Sequence, residues 1–589
     1  MKLALTWDLD RFYPGGSQSQ QLQGCFEKIE TGLQQLKKNL QEQSHLPSVL
    51  ELFQTLSMHL RQVRSFANCL IAQNDKDTAA LCLQNRASHF TALFKTLSVV
   101  LDEWLLDLDD ASFQSLITEL SAISFPLQER RQLARDKLPA KEEGLIHHFA
   151  IDGYHGWCDL WNALIRDLSF PYRGEVLSFN QIDTLLDLPD PTERKEAFDS
   201  IEKTLIPFEN SFAQALNHLA GFRLGIYAKR NWESPLKEAL ELNRLQEKTL
   251  TTMWETIEAN QQGLVDYLNC KADLLGQEKL HWHDLSAPIS KLTKKISYRE
   301  ASVFIVKHFS QFSPKLAAFA EQALQDNWVD AENRPGKGPG GFCTAFPLEK
   351  ESRIFMTYSD TTSSLFVLAH ELGHAFHNSV LFSLPEMAQH CRMNLAETAS
   401  TMSEIIVTQA AIATETSDRE KLALLDNHLS RAASYLLNIR ARFLFECDFY
   451  RERKKGFVPA EKLSELMQNA QEVSYQKSLS RYHPLFWAAK MHFFLTDAPF
   501  YNFPYTFGYL FSLGIHALSS QLPRFEERYI ALLKDTGQMT TESLAKKHLD
   551  VDLKEPSFWQ LALDNIKKDS TTFQRLASTL SSSKSVSMH

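Results

Sequence analysis

The segment HELGH contains three side chains whose types and spacing suit metal-assisted hydrolysis, namely His370, Glu371 and His374. Residues four positions apart share one face of a helix, with Cβ atoms about 5–6 Å apart, so both imidazoles can reach one zinc ion. The glutamate beside the first histidine is then placed to accept a proton from a zinc-bound water and to pass it to a leaving amine. Two histidines that are merely satisfied within a helical core are the alternative interpretation.

A catalytic zinc ion takes a third protein ligand, and Glu397 is the candidate. It lies in an apolar, small-residue segment, 394–413, where a carboxylate is costly unless it is paired or bound to a metal. Glu404, seven positions later, shares nearly the same helix face and is placed to orient a ligand histidine through its second ring nitrogen. His377 is assigned to packing. The sequence therefore predicts one zinc ion per chain, held by two histidines and one glutamate.

A third cluster lies in the aromatic segment 491–514, where Tyr501, Tyr505 and Tyr509 recur every four residues. If a helix begins near Pro504, the last two tyrosines share one face. A neutral phenol can donate a hydrogen bond to a carbonyl oxygen as it becomes an oxyanion beside the metal. Core packing is the more frequent role of such a stripe, so the pattern alone leaves both interpretations open.

The elements that would position these residues are mainly helices. Apolar residues recur at intervals of three and four, and only 21 glycines and 21 prolines interrupt the chain. Hydroxyl residues at 361–364 can cap the helix that carries HELGH. A turn-rich segment, Asn333 to Pro339, precedes two short strand candidates, 341–346 and 353–358, which we predict to form a hairpin.

The chain has 589 residues, which is more than one hydrophobic core usually serves. Two prolines around Asp190 suggest a boundary there. We therefore predict an N-terminal helical lobe over residues 1–190, a catalytic domain over 191–575 and a disordered polar tail over 576–589.

Composition excludes several classes of partner. The net charge of −10 repels phosphate backbones and anionic membrane surfaces. No stretch approaches the roughly 18 apolar residues of a membrane span, and no signal peptide is recognisable. Eight scattered cysteines without a C-x-x-C pair fit a reducing compartment. We expect a cytoplasmic protein without nucleic-acid or membrane partners, and the oligomeric state stays open.

HELGHAFH followed by LAETASTMSE resembles the M3 family of zinc metallopeptidases, specifically the oligoendopeptidase F branch that includes the Pz-peptidases. The segments GKGPGGFCTAF, RIFMTYSDTTSSLF, HFFLTDAPFYNFPYTFGYLFS and VDLKEPSFW are similar to segments of that branch. The resemblance implies a mainly α, two-lobed ellipsoid with a deep substrate channel, a small β-sheet beside the zinc helix and a thermolysin-type site. It also implies cleavage of internal bonds in short peptides.

The resemblance implies that His370, His374 and Glu397 are the metal ligands. It also implies that Glu371 is the general base. The family's substrate-facing positions carry over onto His492, Tyr505 and Tyr509, and less closely onto Tyr501. These four residues are predicted to contact the substrate or steady the oxyanion.

The strand RIFMTYSD resembles the edge strand on which the family lays its peptide. This likeness implies substrate contacts by Phe355 and Thr357 through backbone pairing. Gly341, in the PGG loop, is assigned to substrate binding with them.

The sequence thus predicts a zinc metalloendopeptidase that acts on short oligopeptides by glutamate-assisted attack of a zinc-bound water. A related zinc carboxypeptidase or dipeptidyl carboxypeptidase is an alternative, which would need a cation to hold the free carboxylate of the substrate. A peptide-binding protein with a vestigial site is the second alternative.

Overall fold

The computed structural model describes residues 3–290, 294–338 and 340–586, and the mainly α fold is confirmed in them. Pro339, the last residue of the predicted turn segment, lies outside the described residues. The helices are α1 (Gln20–Gln41), α2 (Leu46–Gln73), α3 (Thr78–Asp107), α4 (Asp110–Glu119), α5 (Ser124–Arg135), α6 (Ala140–Ala150), α7 (Gly156–Asp167), α8 (Phe179–Thr184), α9 (Pro191–Leu205), α10 (Glu209–Lys229), α11 (Lys237–Leu242), α12 (Glu247–Asn260), α13 (Gln262–Leu274), α14 (Tyr298–Phe312), α15 (Pro314–Gln325), α16 (Thr362–Leu381), α17 (Met393–Ala396), α18 (Thr398–Thr414), α19 (Asp418–Ala433), α20 (Ile439–Arg453), α21 (Ala460–Ser474), α22 (Phe486–Ala489), α23 (Phe503–Leu518), α24 (Phe525–Asp535), α25 (Thr541–Leu549) and α26 (Pro556–Val586). The strands are β1 (Phe170–Tyr172), β2 (Glu175–Leu177), β3 (Val329–Asp330), β4 (Phe342–Phe346) and β5 (Glu351–Phe355). In the part of the chain that the structure describes, none of the helices combines the length and apolarity that crossing a bilayer requires.

Two compact units interleave along the sequence. Unit 1 comprises Met1–Lys137, Lys294–Ala410 and Leu522–Leu549, and unit 2 comprises Leu138–Thr293, Ala411–Gln521 and Asp550–His589. The division predicted at residue 190 falls inside unit 2. The prolines there mark the start of a helix, because Asp190 caps α9 by accepting hydrogen bonds from the backbone of Thr192 and Glu193.

Unit 1 contains a three-stranded sheet in the order β3-β5-β4. The predicted hairpin is confirmed, with β4 antiparallel to β5 and Phe342 opposite Phe355. The prediction that the RIFMTYSD strand is an edge strand was wrong. β5 is central, since it also pairs in parallel with β3, and the N–H of Met356 donates to Asp330 O at 3.0 Å. Among the described strands, β4 has β5 as its single partner.

The side chain of Phe355 belongs to the core of unit 1. Its ring lies 5.2 Å from that of Phe342 and 5.7 Å from that of Trp7, and the residue is 1% exposed. The N-terminal segment therefore covers the side chain of Phe355, and the substrate contact assigned to its backbone stays a prediction. Thr357, two positions later, is exposed, and its substrate contact stays a prediction.

Unit 2 is built around α23 and the C-terminal helix α26, which pack against each other. The tail predicted to be disordered over 576–589 continues α26 as far as Val586. Phe573 and Ala577, four positions apart, are buried and hold one face of this helix against the unit. Residues 587–589 lie outside the described residues.

Candidate active site

The three residues predicted as metal ligands lie together in unit 1. His370 and His374 project from α16, and Glu397 stands in the short junction between α17 and α18. Nε2 of each histidine lies 3.3 Å from Oε2 of Glu397, and the three ligand atoms all lie within 4.8 Å of one another. Thr361 caps α16 by accepting a hydrogen bond from the backbone N–H of Ser364.

The chemistry of this donor set fits a divalent metal ion of the zinc type. In a tetrahedral zinc site with bonds of about 2.0–2.1 Å, neighbouring ligand atoms lie about 3.3 Å apart. Two of the three ligand separations have that length. Burial opposes ionisation of Glu397, but hydrogen bonds and charge from His370 and His374 outweigh it and hold the pKa of Glu397 well below its usual range. A charged carboxylate and two imidazole nitrogens are therefore ready to bind a cation.

Glu404 contacts the ring of the first histidine. Its Oε2 lies 3.3 Å from Nδ1 of His370. Because an ionised carboxylate only accepts hydrogen bonds, a neutral imidazole makes this contact with its N–H on Nδ1. With the proton held on Nδ1, Nε2 is the ring nitrogen left to coordinate a metal ion. The sequence-based role of Glu404 as an orienting residue stays a prediction, and this contact supports it.

Removal of the Glu404 carboxylate is expected to weaken metal binding. We predict that Glu404→Ala raises the Kd for zinc by about 10–100-fold, the range for partners of ligand histidines. Glu404→Gln retains an acceptor oxygen for the ring N–H and should lose less affinity for zinc than Glu404→Ala. Competition with a chromogenic chelator measures both values. Equal affinity in wild type and Glu404→Ala would show that the contact has no role in metal binding.

Glu371 lies beside the ligand cluster as a buried carboxylate without a protein partner on one oxygen. The residue is 7% exposed, and its Oε2 has no hydrogen-bond partner among the residues described. Burial raises the pKa of Glu371; its two histidine neighbours lower that pKa, and the charge of Glu397 raises it. A carboxylate with raised basicity and a free oxygen is suited to exchange protons with a reacting group.

Gly341 brings the backbone of the β4 hairpin close to this carboxylate. A Cβ built on Gly341 would lie 3.3 Å from the carbonyl oxygen of Phe355 and 3.8 Å from Oε1 of Glu371. The position adjoins Glu371, and the substrate contact assigned to Gly341 stays a prediction.

Gly373 is a residue that the sequence reasoning missed. A Cβ at this position would lie 2.5 Å from the carbonyl oxygen of Ala399 and 2.7 Å from Cα of Ser400, so only glycine lets α16 approach the start of α18 this closely. That approach places the histidines of α16 beside Glu397. The signal was available, because a glycine inside a strongly helical pattern usually has a packing reason.

Substitution of Gly373 should therefore disturb both folding and the ligand cluster. Gly373→Ala is expected to destabilise unit 1 by about 1–3 kcal/mol, as overpacking against backbone does, and to reduce zinc content. Gly24→Ala is the matched control, since Gly24 lies in α1 with no atom within 4 Å of its added Cβ. That change should stabilise α1 by about 0.5–1 kcal/mol. Urea denaturation followed by circular dichroism measures both, and equal stability of the two variants would refute the close-packing role.

His377 takes the packing role expected of it. Its Nε2 lies 3.1 Å from Leu533 O and 3.0 Å from Thr536 Oγ1, and burial lowers its pKa to about 4.

Unit 2 holds the residues assigned to substrate by resemblance. His492 Nδ1 lies 2.7 Å from Oδ1 of Asn502, and the same oxygen accepts a hydrogen bond from Arg442 Nη1 at 2.9 Å. Arg442 Nη1 is 3.5 Å from Nδ1, so the much shorter contact with the accepting Asn502 oxygen assigns the proton to Nδ1 and the lone pair to Nε2. Burial lowers the pKa of His492 to about 4, and the charges of Lys490 and Arg442 add to the effect. The histidine is neutral near pH 7.

One of the three predicted tyrosines contacts His492, and a second contacts the first. The ring of Tyr501 lies 4.9 Å from that of His492, and its hydroxyl lies 3.1 Å from that of Tyr505. Tyr509 stacks on Tyr435 at 4.7 Å, and its buried hydroxyl has no hydrogen-bond partner within the described part of the chain. Arg442 and Asn502, which contact His492, had no signal in the sequence that distinguished them from their neighbours.

Comparison with known families places these residues in context. The family model described as Peptidase family M3 matches residues 184–549, which include the HELGH segment, the candidate ligand Glu397 and the tyrosine cluster. The model described as Oligopeptidase F matches residues 104–170.

Individual relatives match over most of their length. This chain is 23% identical over 523 residues to Group B oligopeptidase PepB of Streptococcus agalactiae serotype III, covering 84% of each chain. It is 22% identical over 573 residues to oligopeptidase PepF of Bacillus subtilis, covering 94% of this chain and 84% of that one.

Solved structures share the fold. A structure from Chlamydophila abortus superposes with a TM-score of 0.83 at 19% identity, covering 97% of this chain and 98% of the other. Oligoendopeptidase-F from Enterococcus faecium superposes with a TM-score of 0.69 at 20% identity, covering 95% and 98%.

Proposed function

We infer the function from the premise that this chain belongs to peptidase family M3, in its oligopeptidase F branch, and is a metallopeptidase. It is a zinc-dependent endopeptidase that hydrolyses internal bonds of short peptides. The observation that carries this proposal is the convergence of His370, His374 and Glu397 beside a buried Glu371 that has one unpartnered oxygen.

The residues have separable roles in the reaction. When bound by the two histidines and Glu397, a zinc ion supplies Lewis-acid chemistry, polarising the scissile carbonyl and acidifying a water molecule. Glu371 accepts the proton of the attacking water on Oε2 and then delivers it to the leaving nitrogen. The raised pKa of Glu371 suits both transfers. It makes the carboxylate a stronger base towards the water, and it keeps the resulting carboxylic acid protonated until the leaving nitrogen takes the proton.

The polar groups of unit 2 are assigned to the substrate. A neutral His492 with its proton on Nδ1 presents Nε2 as an acceptor, which suits a peptide N–H of the substrate. The phenols of Tyr501, Tyr505 and Tyr509 are donors, and we assign the developing oxyanion to one of them. Glu404 orients His370, and Gly341 and Thr357 are assigned to the peptide backbone.

Product analysis distinguishes an endopeptidase from the exopeptidase alternatives. The substrate is a peptide of about eight residues with both termini blocked, a length chosen to expose several internal bonds. An endopeptidase cuts it into two fragments that mass spectrometry identifies. If only the version with a free C-terminus is shortened, and only from that end, the endopeptidase assignment is wrong.

A further inference from the structure

Unit 2 contains a cavity of about 390 Å³ whose lining includes His492. Its wall includes the aromatic side chains of Trp161, Phe179 and Phe486, and its charged lining groups are Lys490 and Asp183. This volume lies within the range of about 300–1,000 Å³ for pockets that bind small molecules. It can therefore admit one side chain or the end of a peptide.

Lys490 shares the lining of this cavity with one acidic side chain, Asp183, but forms no salt bridge with it. Within residues 3–290, 294–338 and 340–586, its ammonium group forms no ion pair. Burial lowers the pKa of Lys490 to about 8, the charge of Arg442 adds to this, and Asp183 counteracts it only in part. A negative ligand beside Nζ would stabilise the charged ammonium group against both burial and the charge of Arg442.

Hydrogen bonds fasten the backbone next to Lys490. The indole N–H of Trp161 donates to Ala488 O at 2.8 Å, and the N–H of Lys490 donates to Phe486 O at 3.1 Å. His492 follows two residues later in the turn Met491–Phe493. Lys490 and His492 therefore belong to one short segment and line the same cavity.

The surrounding charges favour an anion over a cation. Arg442, whose guanidinium lies 5.2 Å over the ring of Phe486, adds a second positive charge behind the wall. Burial raises the pKa of Glu446 to about 8, so this neighbour of Arg442 is mostly protonated near pH 7. His483, another lining residue, is 3.4 Å from Glu202, which has its own cation in Arg481. Asp183 is the acidic side chain in the lining and opposes an anion.

We propose that this cavity is a subsite for a carboxylate of the peptide substrate, held by Nζ of Lys490 while His492 contacts the adjoining backbone. The proposal rests on the proposed peptidase function and extends it to substrate preference. The carboxylate comes either from an aspartate or glutamate side chain or from the C-terminus of the peptide. Charge-assisted hydrogen bonds to an ammonium group provide the discrimination against a neutral group of the same shape.

Matched peptide pairs measure the preference. One series of blocked, internally quenched peptides carries glutamate or glutamine at each position in turn, and a second series carries a free or an amidated C-terminus. The readout is the ratio of kcat/KM for the acidic and neutral members of a pair. Because both members of a pair are tested on the same variant, a loss of activity that affects both equally cancels in this ratio.

We expect wild type to prefer the acidic member in one series, and Lys490→Met to reduce that ratio about tenfold. Asp183→Asn should increase the ratio, since it removes the opposing charge, and Lys490→Arg should retain it. Lys568→Met, which replaces an exposed lysine of α26, is the matched control and should match wild type. If Lys490→Met fails to fold, Lys490→Gln replaces it.

The two series identify the source of the carboxylate, and binding separates this proposal from the peptidase assignment. An effect confined to the glutamate series identifies a side chain, and one confined to the second series identifies the C-terminus. The same pairs are titrated into Glu371→Gln protein by fluorescence. Lys490-dependent preference in binding supports the subsite even if wild type cleaves nothing, which would contradict only the peptidase assignment. No acidic preference, or one that survives Lys490→Met, overturns the subsite.

Discussion

Glu371→Gln is expected to lower kcat for peptide cleavage about a thousandfold, within the range for loss of a general acid–base group. The amide has nearly the same volume as the carboxylate, but it neither accepts the proton of the attacking water nor returns one to the leaving nitrogen. Zinc content should stay at that of wild type, because Glu371 is not one of the three ligands. Kinetics with a quenched peptide and metal analysis of the same sample measure both effects.

Glu321→Gln provides the matched control for this change. Glu321 is exposed on α15, where it accepts a hydrogen bond from Gln325 at 3.3 Å, and its substitution should leave kcat unchanged. If the Glu371→Gln protein holds zinc and turns over at the wild-type rate, another group acts as the base.

Glu397→Ala is expected to abolish tight zinc binding. The change removes a ligand and leaves two imidazoles, so the loss of affinity should exceed the roughly 100-fold upper end known for outer-shell partners of ligands. Activity should fall with occupancy and return partly at high zinc concentration. Metal analysis after dialysis and titration with a fluorescent zinc indicator measure the affinity.

Thermal unfolding gives an independent reading of the same variant. A ligand that binds only the folded state raises stability with its concentration, so zinc should raise the Tm of wild type far more than that of Glu397→Ala. Glu321→Ala is the control for loss of a glutamate side chain. Full zinc occupancy in Glu397→Ala after dialysis would refute its assignment as a ligand.

The cluster of proposed metal ligands could be anticipated because its geometry is mostly local. Residues 370 and 374 are related by one helical turn, and an unexplained acidic residue in an apolar segment pointed to Glu397. The prediction that these atoms meet required only that one further element pack against α16. The contact that brings them together depends on Gly373. A glycine inside a helical pattern indicates close packing, but it does not identify the backbone atoms that approach it.

Other features depended on long-range pairing that periodicity does not reveal. β5 is central because the two residues Val329 and Asp330, too few to form a recognisable strand, pair along its second edge. Phe355 is buried because an aromatic N-terminal segment, including Trp7, covers the sheet. The interleaved units likewise follow from tertiary packing, whereas the prolines near residue 190 report only a helix start.

The substrate groups of unit 2 were assigned by resemblance, and the structure adds a physical constraint to them. Asn502 Oδ1 accepts from both Arg442 and His492, which fixes the protonated nitrogen of the imidazole. No residue spacing predicts this network, because its members come from α20, the turn before α23 and the turn Met491–Phe493. The assignment of His492 as an acceptor follows from the network rather than from the motif.

The most direct test of the account is a zinc titration of the metal-free protein, followed by cleavage of the blocked peptide. Phenanthroline should abolish cleavage, and after its removal activity should rise linearly with added zinc and reach its maximum at about one equivalent per chain, as expected for one three-ligand site. Cleavage that persists in the metal-free protein, or that does not return with zinc, would contradict the assignment of His370, His374 and Glu397 as the catalytic metal site.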